Sequence, residues 1–121
     1  MFEYIEIEND SWFNPGYTKI WNDKGKLYYE SCAYKCPEFL RESRKECKCE
    51  LPEFVSRLKR MHIPLWKREY KLPKDVCVLD GFKWTVKYKV SGKGVVIRTG
   101  DNNVPFVWDD FMDLIESVTE E

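Results

Sequence analysis

Thiols are the most concentrated chemistry in this chain. Cys32-x3-Cys36 is followed, after ten residues, by Cys47-x-Cys49, so two close pairs supply four soft ligands. Zinc takes four thiolates in a tetrahedron, and local pairs reduce the ordering cost of gathering them. Cys32, Cys36, Cys47 and Cys49 are therefore a candidate structural zinc site. The second pair has a single intervening residue, tighter than the usual zinc knuckle. The same residues also read as free thiols of a reducing compartment, or as a disulfide or redox pair. Cys77, inside the apolar run Val76-Cys77-Val78-Leu79, reads as a small buried hydrophobe. An odd count of five fits a fully paired disulfide framework poorly.

His62 is the only histidine, which removes paired-histidine metal chemistry. A Cys–His dyad has no supporting motif here. At the end of a basic helical segment, His62 is expected to meet C-terminal carbonyls. Asp109-Asp110-Phe111-Met112-Asp113 has the D-D-x-x-D spacing that can chelate magnesium. That chemistry needs a second acidic cluster across a large cavity, and aspartates at a helix start are explained by the helix dipole alone. Ser91-Gly92-Lys93-Gly94 lacks the frame of a phosphate loop and reads as a hairpin turn. No catalytic residue is assigned, and the chain is expected not to be an enzyme.

The remaining candidate is a surface. Arg57, Lys59, Arg60, Trp66, Lys67, Arg68, Tyr70 and Lys71 interleave cations with flat rings. That mixture suits a protein hot spot, where Trp, Tyr and Arg dominate. It also suits a nucleic-acid backbone with stacked bases. The bland alternative is that the two rings anchor a loop and the cations are solvated. A second aromatic group lies at Tyr17, Trp21, Tyr28, Tyr29 and Tyr34, in which adjacent Tyr28 and Tyr29 must point to opposite faces of a strand.

Charge bears on the partner class. With 20 basic and 21 acidic side chains, no whole-molecule attraction to nucleic acid or membrane is expected. The distribution is uneven: acids fill both ends, while Arg57, Lys59, Arg60, Lys67, Arg68, Lys71 and Lys74 face only Glu69 in their window. Folding either pairs the acidic ends with this stretch or leaves two surfaces of opposite sign. No run approaches the ~20 apolar residues that span a bilayer, and the acidic opening Met1–Glu8 is unlike a signal peptide. A cytoplasmic location is expected.

These residues need elements to hold them. One domain over 1–121 is expected, of α+β class: an antiparallel sheet of β-hairpins, a helical, cysteine-containing insertion at about 32–64, and a C-terminal amphipathic helix. Residues 2–8 read as a strand. Tyr17–Trp21 and Lys26–Glu30 flank Asn22-Asp23-Lys24-Gly25, a four-residue connection expected to form a type I turn closed by a left-handed glycine. A short helix is expected from Pro37 to about Lys45. Leu51, Phe54, Val55, Leu58 and Met61 make one helical face, which Pro64 ends. Residues 65–75 read as an irregular connection. Asp80-Gly81 signals a hairpin between Val76–Leu79 and a strand in which Trp84, Val86, Tyr88 and Val90 alternate with Lys83, Thr85, Lys87 and Lys89. Val95–Thr99 is a further strand, Gly100–Asn103 a loop, and Asn103 a candidate helix cap. Trp108, Phe111, Met112, Ile115 and Val118 form the last apolar stripe.

One resemblance rests on these residues. Tyr70-x-Leu72-Pro73, Asp80-Gly81-x-x-Trp84-x-Val86-x-Tyr88 and Gly100-x-Asn102-x-x-Pro105-x-x-Trp108-x-x-Phe111 are similar to the ending of small uncharacterised bacterial and mobile-element α+β proteins. In those a W-x-V-x-Y hairpin runs into a G-x-N-x-x-P helix start. The resemblance covers the last ~50 residues and implies a fold but no activity. The function expected is non-catalytic binding of a macromolecule, most concretely a protein–protein interaction module or an inhibitor of phage or mobile-element type. A zinc-stabilised nucleic-acid-binding module and a small thiol-dependent enzyme are the alternatives.

Overall fold

Residues 1–11, 16–32, 45–71 and 82–119 are described by the computed structural model. Their elements are, in chain order, β1 Phe2–Ser11, β2 Gly16–Asp23, β3 Lys26–Cys32, β4 Lys45–Glu46, α1 Leu51–Lys59, a 3₁₀ turn at Ile63–Leu65, β5 Glu69–Lys71, β6 Phe82–Val90, β7 Val96–Asp101 and α2 Trp108–Thr119. The strands form one sheet in the order β4-β3-β2-β1-β6-β7-β5. The fold is α+β. The sheet is mixed rather than antiparallel throughout, because β5 runs parallel to β7.

Alternation decides which way each strand faces. Trp84, Val86 and Tyr88 of β6 are buried, and β1 pairs in register to set Ile7 beside Val86 and Ile5 beside Tyr88. Ile20 and Tyr29 continue the same row on β2 and β3. Phe54 and Leu58 of α1 close over this face, with Phe2 edge-on to Phe54 at 5.5 Å between ring centroids. Phe111, Leu114, Ile115 and Val118 of α2 complete the core. Each such large apolar side chain contributes about 1.5–3 kcal/mol when fully buried. Met112, expected in the stripe, is half-buried, and Leu114 takes the deeper position.

The other face carries cross-strand ladders. Tyr28, Trp21 and Tyr4 lie side by side, and Glu30, Lys19, Glu6 and Lys87 form the next row with alternating sign. Lys19 pairs with Glu6 at 3.8 Å and lies over the rings of Tyr4 and Trp21. Tyr28 and Tyr29 do point to opposite faces: Tyr29 is in the core and Tyr28 packs against Trp21.

Several boundaries differ from the sequence reading, each for a physical reason. The β2–β3 turn has two residues, Lys24 and Gly25, both at positive φ. That geometry matches the strand twist better than a type I turn does. Asn22 Oδ1 accepts the Gly25 N–H at 2.9 Å and steadies it. Lys45 belongs to a strand rather than a helix end, because β4 pairs with the outer edge of β3. The insertion is therefore not wholly helical; among its described residues only Leu51–Lys59 is α-helix. Residues 69–71, expected to be irregular, pair with β7. Gly100 and Asp101 extend β7 instead of forming a loop. Both edges of β6 from Lys83 to Tyr88 are filled by β1 and β7. The expected Val76–Leu79 partner, the Asp80-Gly81 turn and most of the Pro37–Lys45 helix lie outside the described residues.

Candidate functional site

The basic and aromatic stretch separates by chemistry when it folds. Trp66 is 8% exposed and belongs to the core. Its ring meets Trp84 and Phe111 edge-on, at 6.1 and 5.3 Å between centroids. The indole N–H donates to Met61 O at 2.8 Å, which supplies the partner a buried indole needs. Tyr70 is half-buried, with its ring 6.0 Å from that of Trp84, and its hydroxyl accepts the Lys67 N–H at 3.1 Å. Trp66 thus packs within the core, while Tyr70 stays half-buried at its edge. Arg57, Lys59, Arg60, Lys67, Arg68 and Lys71 are all exposed. Only Lys71 of these forms an ion pair among the described residues, with Glu69 at 3.3 Å.

Among the described residues, the acidic ends form no ion pair with this stretch. Among the described residues, Glu6 pairs with Lys19 and Glu3 with Lys89. Asp109, Asp110, Asp113 and Glu116 are exposed on α2, and none is ion-paired to a residue of 57–71. Asn103 does not cap α2. Its side chain accepts the Val104 N–H at 2.9 Å and donates to Lys71 O at 3.3 Å.

Arg98 holds the cationic segment in place, and the sequence reading missed it. It lies on the core-facing parity of β7, opposite Val86. A charged residue at that parity was the available signal. Its guanidinium donates to three carbonyls: Trp66 O at 3.0 Å, Pro64 O at 2.9 Å and Ile97 O at 2.9 Å. The Thr99 N–H then donates to Arg68 O at 3.0 Å, next to the β5–β7 pairing. Arg98→Met keeps most of the apolar stem and removes the donors. It is expected to cost about 2–3 kcal/mol, since hydrogen bonds from charged groups contribute most. Amide exchange should accelerate over residues 66–71 while β1 and β2 stay protected; unchanged protection there would contradict this clamp.

A cavity of about 430 Å³ lies between the end of α1 with its 3₁₀ turn and the β6–β7 hairpin. Leu58, Ile63, Tyr88 and Val96 give it apolar walls, while Lys59, His62 and Lys93 supply cations or imidazole. Among the described residues, no aspartate or glutamate lines it. His62 is exposed and has φ 55, in the left-handed region. Its N–H donates to Lys59 O at 3.2 Å, so the expected carbonyl contact is made by the backbone. Burial raises the pKa of Tyr88, which keeps its phenol neutral.

The described residues place the backbone of three of the four candidate thiols, Cys32, Cys47 and Cys49. Cys47 N–H donates to Leu27 O, which sets Cys47 opposite Leu27, five positions along β3 from Cys32. At about 3.3 Å per residue that separation is about 16 Å. The backbone of Cys32 and that of Cys47 thus stand at different levels along β3. Cys36 and Cys77 lie outside the described residues, among which no group of three or more metal-ligating side chains occurs.

Cys47 is buried, and desolvation is the main cause that pushes its thiol up to about 12, with Cys49 and Glu46 adding to it. Burial and then Glu53 raise Cys49 as well. A nucleophilic cysteine needs the opposite shift. The raised value has a consequence for stability. Above the ordinary thiol pKa the unfolded chain loses this proton and the folded chain keeps it. Stability from Cys47 is thus complete below that value and falls as pH rises toward 12. Cys47→Ala is expected to flatten the decline in urea midpoint between pH 9 and about 11. An identical slope in both proteins would contradict it.

No family model, no curated protein and no solved structure matches the chain. No helix among the described residues is long and apolar enough to cross a membrane.

Proposed function

We propose that this protein is a non-catalytic binding module that captures an acidic surface of another protein on the face formed by residues 57–71. The observation that carries the reading is the division within that segment. Trp66 is committed to the core and Tyr70 is half-buried against it, whereas Arg57, Lys59, Arg60, Lys67 and Arg68 are exposed with no ion pair among the described residues. Clustered cations of this kind steer an acidic partner and fix its orientation.

Leu65 favours a protein over a nucleic acid. It is 81% exposed, within the cationic segment, and offers an apolar contact where Trp66 is buried and Tyr70 half-buried. Such a contact surrounded by charge is the composition of a protein interface, with an apolar centre and a polar rim. The scaffold suits a rigid presentation, because Arg98 and β7 fasten the segment to the sheet. An inhibitor that covers an acidic region of an enzyme is one form of this activity.

Affinity purification from the native cell, followed by titration with the purified partner, tests the reading. Binding that weakens steeply between low and physiological salt supports it. Binding by nucleic acid at low salt with no protein partner would replace it with the alternative class.

A further inference from the structure

We propose that the cavity between α1 and the β6–β7 hairpin binds a small organic acid, an anionic head group on an apolar body. This goes beyond the partner-binding face and needs no macromolecule. Its volume of about 430 Å³ falls in the range of small-molecule sites. Such sites combine apolar walls with a few placed polar groups. Leu58, Ile63 and Val96 provide the walls here, and the neutral Tyr88 phenol lines the same space.

The charge of the opening selects the ligand. Lys59 and His62 approach from the helical side and Lys93 from the hairpin side. Among the described residues no carboxylate lines the cavity, so the charges placed at its opening favour an anion. A neutral apolar molecule would fill the volume and leave the lysines unused. A small anion without an apolar body would leave the walls wet.

Both sides of the cavity are already fixed. Arg98 donates to Pro64 O and Trp66 O, which holds the 3₁₀ turn and the residue that follows it. On the other side the Lys93 N–H donates to Val90 O at 3.1 Å, and Lys89 Nζ donates to Val90 O and Lys93 O. The Ser91 N–H donates to Met1 O at 2.8 Å. A site held this way loses little freedom on binding, so its contacts appear in the affinity.

The test is a titration of the intact protein with octanoate, 1-octanol and acetate, followed by backbone and methyl NMR. Octanoate is expected to bind saturably, with the largest shifts at Val90, Val96 and Leu58. Octanol and acetate are each expected to bind at least about tenfold more weakly. Lys59→Gln combined with Lys93→Gln should weaken octanoate by about ten- to a hundredfold, the loss typical of hydrogen bonds to a charged group. Both lysines are exposed, so the folded spectrum should persist. Equal binding of octanol and octanoate, unchanged binding by the double variant, or shifts located elsewhere would each overturn the proposal. Failure here would leave capture of a partner by Arg60, Lys67 and Arg68 untouched.

Discussion

Gly100→Ala is expected to destabilise the protein by about 3–5 kcal/mol, through overpacking and a lost buried hydrogen bond. Gly100 stands in β7 between Trp84 of β6 and Tyr70 of β5. The two rings meet across it, 6.0 Å apart, because the glycine offers no side chain. The Trp84 indole N–H passes over it to donate to Asn103 O at 2.8 Å. A Cβ on residue 100 would collide with the Trp84 ring and lie 2.5 Å from Asn103 O. Backbone and indole would have to part. Trp84 also packs on Trp108 at 4.6 Å, so a shift propagates to α2. A small domain has only about 5–15 kcal/mol in all. The melting temperature should fall by about 10–20 °C. Gly94→Ala is the control, since a Cβ there meets nothing within 4 Å. Equal melting of the two variants would show that the ring packing around β7 is not as described.

Charge reversal at Arg60, Lys67 and Arg68 carries the largest expected effect on binding. Each side chain is exposed and makes no ion pair among the described residues, so glutamate at these positions removes little from the fold. The Lys67 N–H that donates to the Tyr70 hydroxyl is backbone and survives the change. Against an acidic partner the same change turns attraction into repulsion. Close charge pairs across interfaces couple by at least about 1.5 kcal/mol each. Three reversals should therefore raise Kd by more than about a hundredfold. Part of the loss should appear as slower association, because the steering field is reversed. Binding retained by the triple variant would move the interface off this face.

Burial on one side of an element was what made it legible in the sequence. The alternation of Trp84, Val86 and Tyr88 with lysines identifies β6 because its two faces meet different media. The helical spacing of Phe54 and Leu58, and of Phe111, Ile115 and Val118, identifies α1 and α2 for the same reason. Short elements carry no such period. β4 has two residues and β5 three, and each forms only by pairing with a strand distant in sequence. Trp66 lies in a stretch without parity, so neighbouring lysines suggested a surface, while Trp84, Trp108 and Phe111 drew the ring inward. The glycine at 100 suggested a loop, whereas its role is to let two rings meet.

The candidate site was legible as a list of cations and illegible as a shape. Arg57, Lys59, Arg60, Lys67 and Arg68 are exposed as their charge implies. The clamp by Arg98 and the cavity beside Lys93 join residues about 30 positions apart. Spacing in one sequence holds no record of such pairs. The thiol spacing was similarly silent on register: the strand geometry that separates Cys32 from Cys47 depends on β4 pairing with β3.

Under the proposed function, Trp66 serves the fold while the exposed cations of residues 57–71 recognise the partner. Titration of the purified partner against an Arg60→Ala, Lys67→Ala, Arg68→Ala variant, with thermal unfolding measured on the same samples, tests it most directly. A melting temperature within about 2 °C of the parent, with affinity reduced by tenfold or more, is the expected result. Parental affinity in that variant would contradict the account.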